Sequence, residues 1–147
     1  MTGRILGTGA YVPARTVENQ ELAKVVDTND AWIQERTGIA RRHLIEEETT
    51  SYMAAQAARE ALLQAGIAGE NVDLILVATS TPDTIFPCVA CEVQKEIGAA
   101  NSPGFDLNAA CSGFLFAYQT AQAYIQAGLY KTILVIGADS MSQVIDW

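Results

Sequence analysis

The sequence predicts an α/β fold in which a mostly parallel sheet lies between helical layers. Two apolar runs, Leu74-Ile75-Leu76-Val77-Ala78 and Thr132-Ile133-Leu134-Val135-Ile136, have the length and continuity of strands covered on both faces. The segments between and before them carry apolar residues at helical spacing, and several are closed by glycine. After residue 50 the order is therefore α, β, α, β, α, β, which implies parallel strands joined by helical crossovers.

In chain order, the alternation of Arg4-Ile5-Leu6-Gly7 suggests a first strand, ended by the turn Gly7-Thr8-Gly9 and by Pro13. Glu18 to Val26 and Asn29 to Thr37 read as short helices, the second capped by Thr28 or Asn29 and stopped by Gly38. Thr50 or Ser51 caps a longer helix whose stripe is Met53, Ala54, Ala57, Ala58, Ala61, Leu62 and Ala65, before Gly66. Pro87 to Ile97 is predicted helical with Gly98 as its stop, Gly104 to Asn108 a strand, and Cys111 to about Ala127 a long helix closed by Gly128. Only ten residues follow the strand that ends at Gly137. Open α/β sheets build their crevice outside the carboxyl ends of the strands from later segments, so part of the protein is expected to lie outside this chain.

Half of the 147 residues are hydrophobic and 18% are charged, which suits a compact globular unit with a sizeable core. No apolar stretch approaches the roughly 20 residues of a membrane helix, and the opening Met-Thr-Gly-Arg lacks a signal-peptide pattern; a cytoplasmic protein is expected. Nine Lys and Arg against 17 Asp and Glu give a formal charge of −8, which opposes nucleic acid or anionic membrane as partners. An anionic ligand therefore needs a local basic patch. Three cysteines without a secretory signal do not suggest a disulfide framework.

Four stretches are candidates for chemistry. Cys111 stands where a strand-like run gives way to small residues and a helix begins. Backbone N–H groups exposed there favour negative charge and hence a thiolate, although a free cysteine is also a common small hydrophobe of cores. The dipole of one helix end is worth about 0.3–1 kcal/mol, too little to sustain a nucleophile unaided, so a second group must assist. Gly7-Thr8-Gly9 could open a dinucleotide fingerprint, but Val12 replaces the third glycine and Pro13 follows where a helix should start. Cys88 and Cys91 form a C-x-x-C spacing; with only Cys111 and His43 as further soft ligands, packing on one helix face explains it better than zinc or redox chemistry. Trp32 and Arg36, four residues apart, share a helix face and offer an aromatic surface beside a guanidinium, with Arg41 and Arg42 close in sequence. A nucleotide suits that pair; a core tryptophan beside a solvated basic turn suits the same pattern.

Taken together, Ile5-Leu-Gly-Thr-Gly-Ala-Tyr-Val-Pro13, Asp27-Thr28, Trp32-Ile33, Arg36-Thr-Gly-Ile39, Phe86-Pro87 and Asn108-Ala-Ala-Cys111-Ser-Gly-Phe114 resemble β-ketoacyl-acyl carrier protein synthase III, a thiolase-fold condensing enzyme of fatty acid synthesis. The resemblance implies a thiolase-like fold, with residues 1–147 as the N-terminal half and the C-terminal half absent. It implies acyl transfer from a short acyl-CoA to Cys111, then decarboxylative condensation with malonyl-acyl carrier protein. It further implies that Trp32 stacks on the adenine of coenzyme A, that Arg36 and Thr28 hold the nucleotide and phosphate end, and that Phe86 reaches across a homodimer interface while Met141 lines the chain's own acyl pocket. Neither metal nor cofactor is implied beyond the coenzyme A thioester substrate. The assisting histidine and asparagine belong to the absent half, and His43 matches neither. An acyltransferase of the same fold, or a non-catalytic acyl-CoA-binding or dimerisation module, shares these features and stays open at this point.

Overall fold

The computed structural model describes residues 2–146. Its elements in chain order are β1 (Thr16–Glu18), α1 (Asn19–Leu22), α2 (Asp30–Thr37), β2 (Arg41–His43), α3 (Thr50–Ala65), β3 (Leu74–Ala78), α4 (Val89–Glu96), β4 (Gly104–Leu107), α5 (Gly113–Gln126) and β5 (Ile133–Gly137). Single 3-10 turns lie at Gly69–Asn71, Ala110–Ser112 and Met141–Gln143. Where composition suggests one compact unit, the described chain falls into two.

The larger unit, residues 2–11 with 49–139, holds a parallel sheet of order β4-β3-β5. Every residue of β3 is buried, because its alternating side chains enter two different cores. Ile75 and Val77 pack with Ala54, Ala58 and Leu62 of α3 and Val89, Ala90 and Val93 of α4. Leu74, Leu76 and Ala78 pack with Ala117 and Ala121 of α5. The two-residue side-chain period thus demands helices on both faces, as the unbroken apolar run implies.

The glycine stop of α3 acts as expected, with Gly66 in the left-handed conformation at φ 66°, but the cap is Thr49, which accepts from Tyr52 N, and not Thr50 or Ser51. The Asp83 carboxylate also takes the N–H groups of Thr50 at 2.7 Å and Ser51 at 2.8 Å. Asp106 of β4 does the same for α4, accepting from Val89 N at 2.9 Å and Ala90 N at 2.8 Å. Asp73, one residue before β3, accepts the N–H groups of Lys131 and Thr132, each at 2.9 Å, and so fastens the entry to β5. Those two bonds hold its carboxyl below the usual carboxylate range, against the opposing effect of burial.

The predicted strand at Arg4–Gly7 is not formed. Residues 2–13 carry no regular secondary structure, since their backbone donors are taken by side chains rather than by a neighbouring strand: Gly3 N by Gln122 at 2.9 Å, Thr8 N by Gln64, and Ala10 N by Glu60 at 2.7 Å. Gly7 and Gly9 lie against α3, where a Cβ at Gly7 would overlap the Ala61 carbonyl and one at Gly9 the Ala57 carbonyl. The Gly-Thr-Gly motif thus serves helix packing and not the strand-ending turn read from sequence. Between this segment, α3, α5 and the outer edge of β5 runs an apolar groove of about 690 Å³.

The smaller unit, residues 12–48 with 140–146, contains a two-stranded antiparallel ribbon that pairs Thr16 with His43 and Glu18 with Arg41. The segment read as a basic turn is therefore the second strand of that ribbon. The helix expected over Glu18 to Val26 shrinks to the four residues of α1, opened by a capping box between Glu18 and Glu21. Among the described residues no helix is long and apolar enough to cross a membrane.

Gly9→Ala should lower stability by about 1–3 kcal/mol, because helix backbone cannot yield to the new methyl group. Urea unfolding followed by circular dichroism checks this, and a variant as stable as the parent refutes the packing role.

Candidate active site

Cys111 occupies the middle of the Ala110–Ser112 turn, between the end of β4 and the start of α5, and it is exposed. The helix expected from Cys111 starts two residues later, at Gly113. Small residues allow this junction. Ala110 has φ 46°, the one non-glycine residue with positive φ among those described, and an L-residue in that region costs about 1–2 kcal/mol. Gly113 is buried, and a Cβ there would stand 3.1 Å from the Cβ of Ala78. α5 can therefore begin directly against the end of β3, leaving the turn that bears Cys111 at the sheet's carboxyl edge.

A polar network ties the three strand ends together. After β5, Asp139 Oδ1 accepts from Ser80 N at 2.7 Å, from Thr81 Oγ1 at 3.1 Å and from Thr79 Oγ1 at 3.4 Å, all on the segment leaving β3. Ser80 Oγ donates at 3.2 Å to Asn108 Oδ1, on the segment leaving β4, and Ala110 N donates to the same oxygen at 3.4 Å. The residue before Cys111 is thus linked through Asn108 and Ser80 to Asp139. Sequence reasoning gave Asp139 and Ser80 no role; the available signal was a polar residue within two positions after each of the three strands, where open α/β sheets place their sites.

In the smaller unit, Asn29 rather than Thr28 caps α2, accepting from Trp32 N at 2.9 Å. Thr28 Oγ1 is buried with no hydrogen-bond partner. Trp32 is 51% exposed, which removes the reading of a core tryptophan. The Arg36 guanidinium lies over its ring, 4.5 Å from the centroid, and reaches the Glu35 carboxylate at 3.4 Å. Arg42 is committed to the fold, donating to Val17 O at 3.2 Å and to Asn19 Oδ1. His43 Nδ1 lies 2.6 Å from Pro13 O. Of the basic stretch, Arg36 and Arg41 are the exposed guanidiniums.

Phe86 is 90% exposed on the loop before α4 and joined to Pro87 by a cis peptide bond. Met141, in the smaller unit, is 54% exposed. The structure thus brings Trp32 and Arg36 together in one unit and sets Cys111 on the strand-end network of the other. Cys88 packs partly against the core, whereas Cys91 is exposed, so packing accounts for only the first of the pair.

A parallel sheet flanked by helices, with a cysteine-bearing turn at the carboxyl edge, superposes on solved structures of thiolase-like fold. The 3-oxoacyl-[acyl-carrier-protein] synthase III from Aquifex aeolicus VF5 superposes with a TM-score of 0.96 at 48% identity, over 98% of this chain and 47% of that one. A priming β-ketosynthase from the R1128 polyketide biosynthetic pathway gives 0.94 at 39% identity, over 97% and 43%. The family model for 3-oxoacyl-[acyl-carrier-protein (ACP)] synthase III matches residues 105–147. The β-ketoacyl-[acyl-carrier-protein] synthase III 1 of Bacillus anthracis is 53% identical over 144 residues, 97% of this chain and 46% of that protein. Over 97% of its length the chain is similar to curated β-ketoacyl-acyl carrier protein synthases III, and it spans about half the length of the relatives it matches.

Replacing Asp139 by Ala should cost about 1–3 kcal/mol, since one substitution removes the acceptor shared by three donors. Asp139→Asn, which keeps an acceptor oxygen, should recover part of the loss in the same chemical denaturation series. Equal stability of the alanine variant and the parent would dismiss the network.

Proposed function

We propose that this chain is the cysteine-bearing, N-terminal thiolase-like half of an initiating condensing enzyme of fatty acid synthesis. The observation that carries the reading is Cys111, exposed in the turn between β4 and α5, in a chain about half identical to synthases of this type. The Cys111 sulfur, as thiolate, attacks the carbonyl carbon of a short acyl-CoA. A new C–S bond forms, the old one breaks, and coenzyme A leaves with the electron pair, so that the acyl group rests on Cys111 as a thioester. In the second step malonyl-acyl carrier protein loses carbon dioxide, and the carbanion left behind attacks that thioester. The β-ketoacyl product remains on the carrier and the cysteine is released.

Backbone N–H groups at the start of α5 are suited to the oxyanion of the first step. The carbanion of the second needs donors of its own, which the family resemblance assigns to a histidine and an asparagine outside residues 1–147. The chain by itself is therefore competent at most for acylation. Trp32 takes the adenine on the ring face opposite Arg36, which already covers one side. Arg36 meets the phosphates and Thr28 Oγ1, lacking an internal partner, hydrogen-bonds the nucleotide. Met141 lines the acyl pocket, and Phe86 contributes to that of a second subunit in a homodimer. The reading includes a cytoplasmic enzyme without metal or cofactor.

Incubation with acetyl-CoA, followed by intact mass and peptide mapping, should show one acetyl group on Cys111 and none in Cys111→Ala. Coenzyme A binding that persists in that variant, with the parent chain never acylated, would identify a binding module instead of an enzyme half. Trp32→Ala should weaken coenzyme A binding by about 1–3 kcal/mol in calorimetry if the ring stacks on the base. Unchanged affinity in a folded variant removes Trp32 from the site.

A further inference from the structure

We propose that Cys88 and Cys91 form a reversible dithiol–disulfide pair, a redox-modification site separate from Cys111 and closed by low-molecular-weight disulfides. Cys88 immediately precedes α4 in an extended conformation, and Cys91 is the third residue of that eight-residue helix. The backbone between them is already closed, with Cys91 N donating to Cys88 O at 3.0 Å. Their sulfurs lie 3.5 Å apart. A disulfide needs about 2.05 Å, a change that side-chain rotation can supply without moving the helix. The Asp106 carboxylate continues to hold the first turn through Val89 N and Ala90 N in either state.

The two thiols differ in a way that sets the order of events. Cys91 is exposed, whereas Cys88 is partly covered and rests against the core of α3, α4 and the sheet. Burial above all pushes the Cys88 thiol up, against the opposing backbone N–H of Cys91 and with the Cys91 side chain and the nearby Asp106 charge adding to it. The exposed Cys91 is the entry point: its thiolate attacks an external disulfide, one S–S bond breaks as another forms, and the first small thiol departs. Cys88 then gives its proton to water and displaces the second small thiol from Cys91. The pair is oxidised by two electrons, and the external disulfide is reduced to two thiols. Neither Asp106 nor the packing of α4 has to be undone for either exchange.

The test treats the full chain with bis(2-hydroxyethyl) disulfide, a neutral reagent, then blocks remaining thiols with iodoacetamide and maps the peptides. The expected product spans Cys88 and Cys91, is lighter by two hydrogen atoms, resists alkylation, and is restored by dithiothreitol. In Cys88→Ser the mercaptoethanol adduct should remain on Cys91, unresolved. Closure of the mixed disulfide should also run about tenfold or more faster in the folded chain than in guanidinium, as a preformed geometry requires. Full alkylation of both residues after treatment, a link from either to Cys111, or closure no faster in the folded chain would each overturn the proposal.

Discussion

The contact between Ala78 and Gly113 governs where the turn that bears Cys111 lies. β3 can be buried on both faces only if a helix closes over its Leu74, Leu76 and Ala78 side, and α5 does so. A helix that starts after a parallel strand must begin near the sheet's carboxyl edge, and its first turn can approach that closely only over small residues. Ala78 at the end of β3 and Gly113 at the start of α5 supply them. Cys111 is the consequence: two residues upstream of that contact, it has nowhere to go but onto the turn at the strand ends. A larger side chain at either position would move the helix origin, and the sulfur with it.

That placement makes the strand-end network more than local decoration. Ala110 holds a backbone conformation unfavourable for an L-residue, and such conformations persist where surrounding structure over-determines them. Here the surroundings are Asn108 and Ser80, with Asp139 behind them. The carboxylate is contributed by the segment after β5 and the hydroxyls by the segment after β3, so the turn is referenced to all three strands at once. A site built on the ends of a rigid sheet is better defined than one on a free loop.

How much of this was legible in the sequence depended on how much of the signal was local. β3 and β5 were legible because four or five apolar residues in a row have few alternatives when glycine and polar residues flank them, and α3 and α5 because their stripes run for three turns or more. The Arg4–Gly7 strand misled because alternation reports two differing faces, while strand formation needs a neighbouring backbone; here Gln64, Glu60 and Gln122 take the donors instead. The three-residue strands β1 and β2 are too short to carry any pattern. At the site, Cys111 stood out through the run of small residues around it. Asp139 did not, being one acidic residue among seventeen whose role depends on three donors about 60 positions away.

The exposed aromatic–cation pair follows a different logic from the cysteine turn. In a chain of net charge −8, long-range attraction of an anion is unfavourable, so recognition has to rest on short-range contacts. Trp32 and Arg36 meet that condition within one helix: the i, i+4 spacing sets the guanidinium over the ring, and the stacked pair costs less to order than two independent long side chains. Arg42, three residues from Ile39 and no less basic, is unavailable because Val17 and Asn19 of the opposite strand hold it. Sequence counts the two arginines equally; the ribbon makes one a structural tie and leaves the other exposed beside its tryptophan. The electrostatic capacity of this unit is therefore fixed by strand pairing as much as by composition.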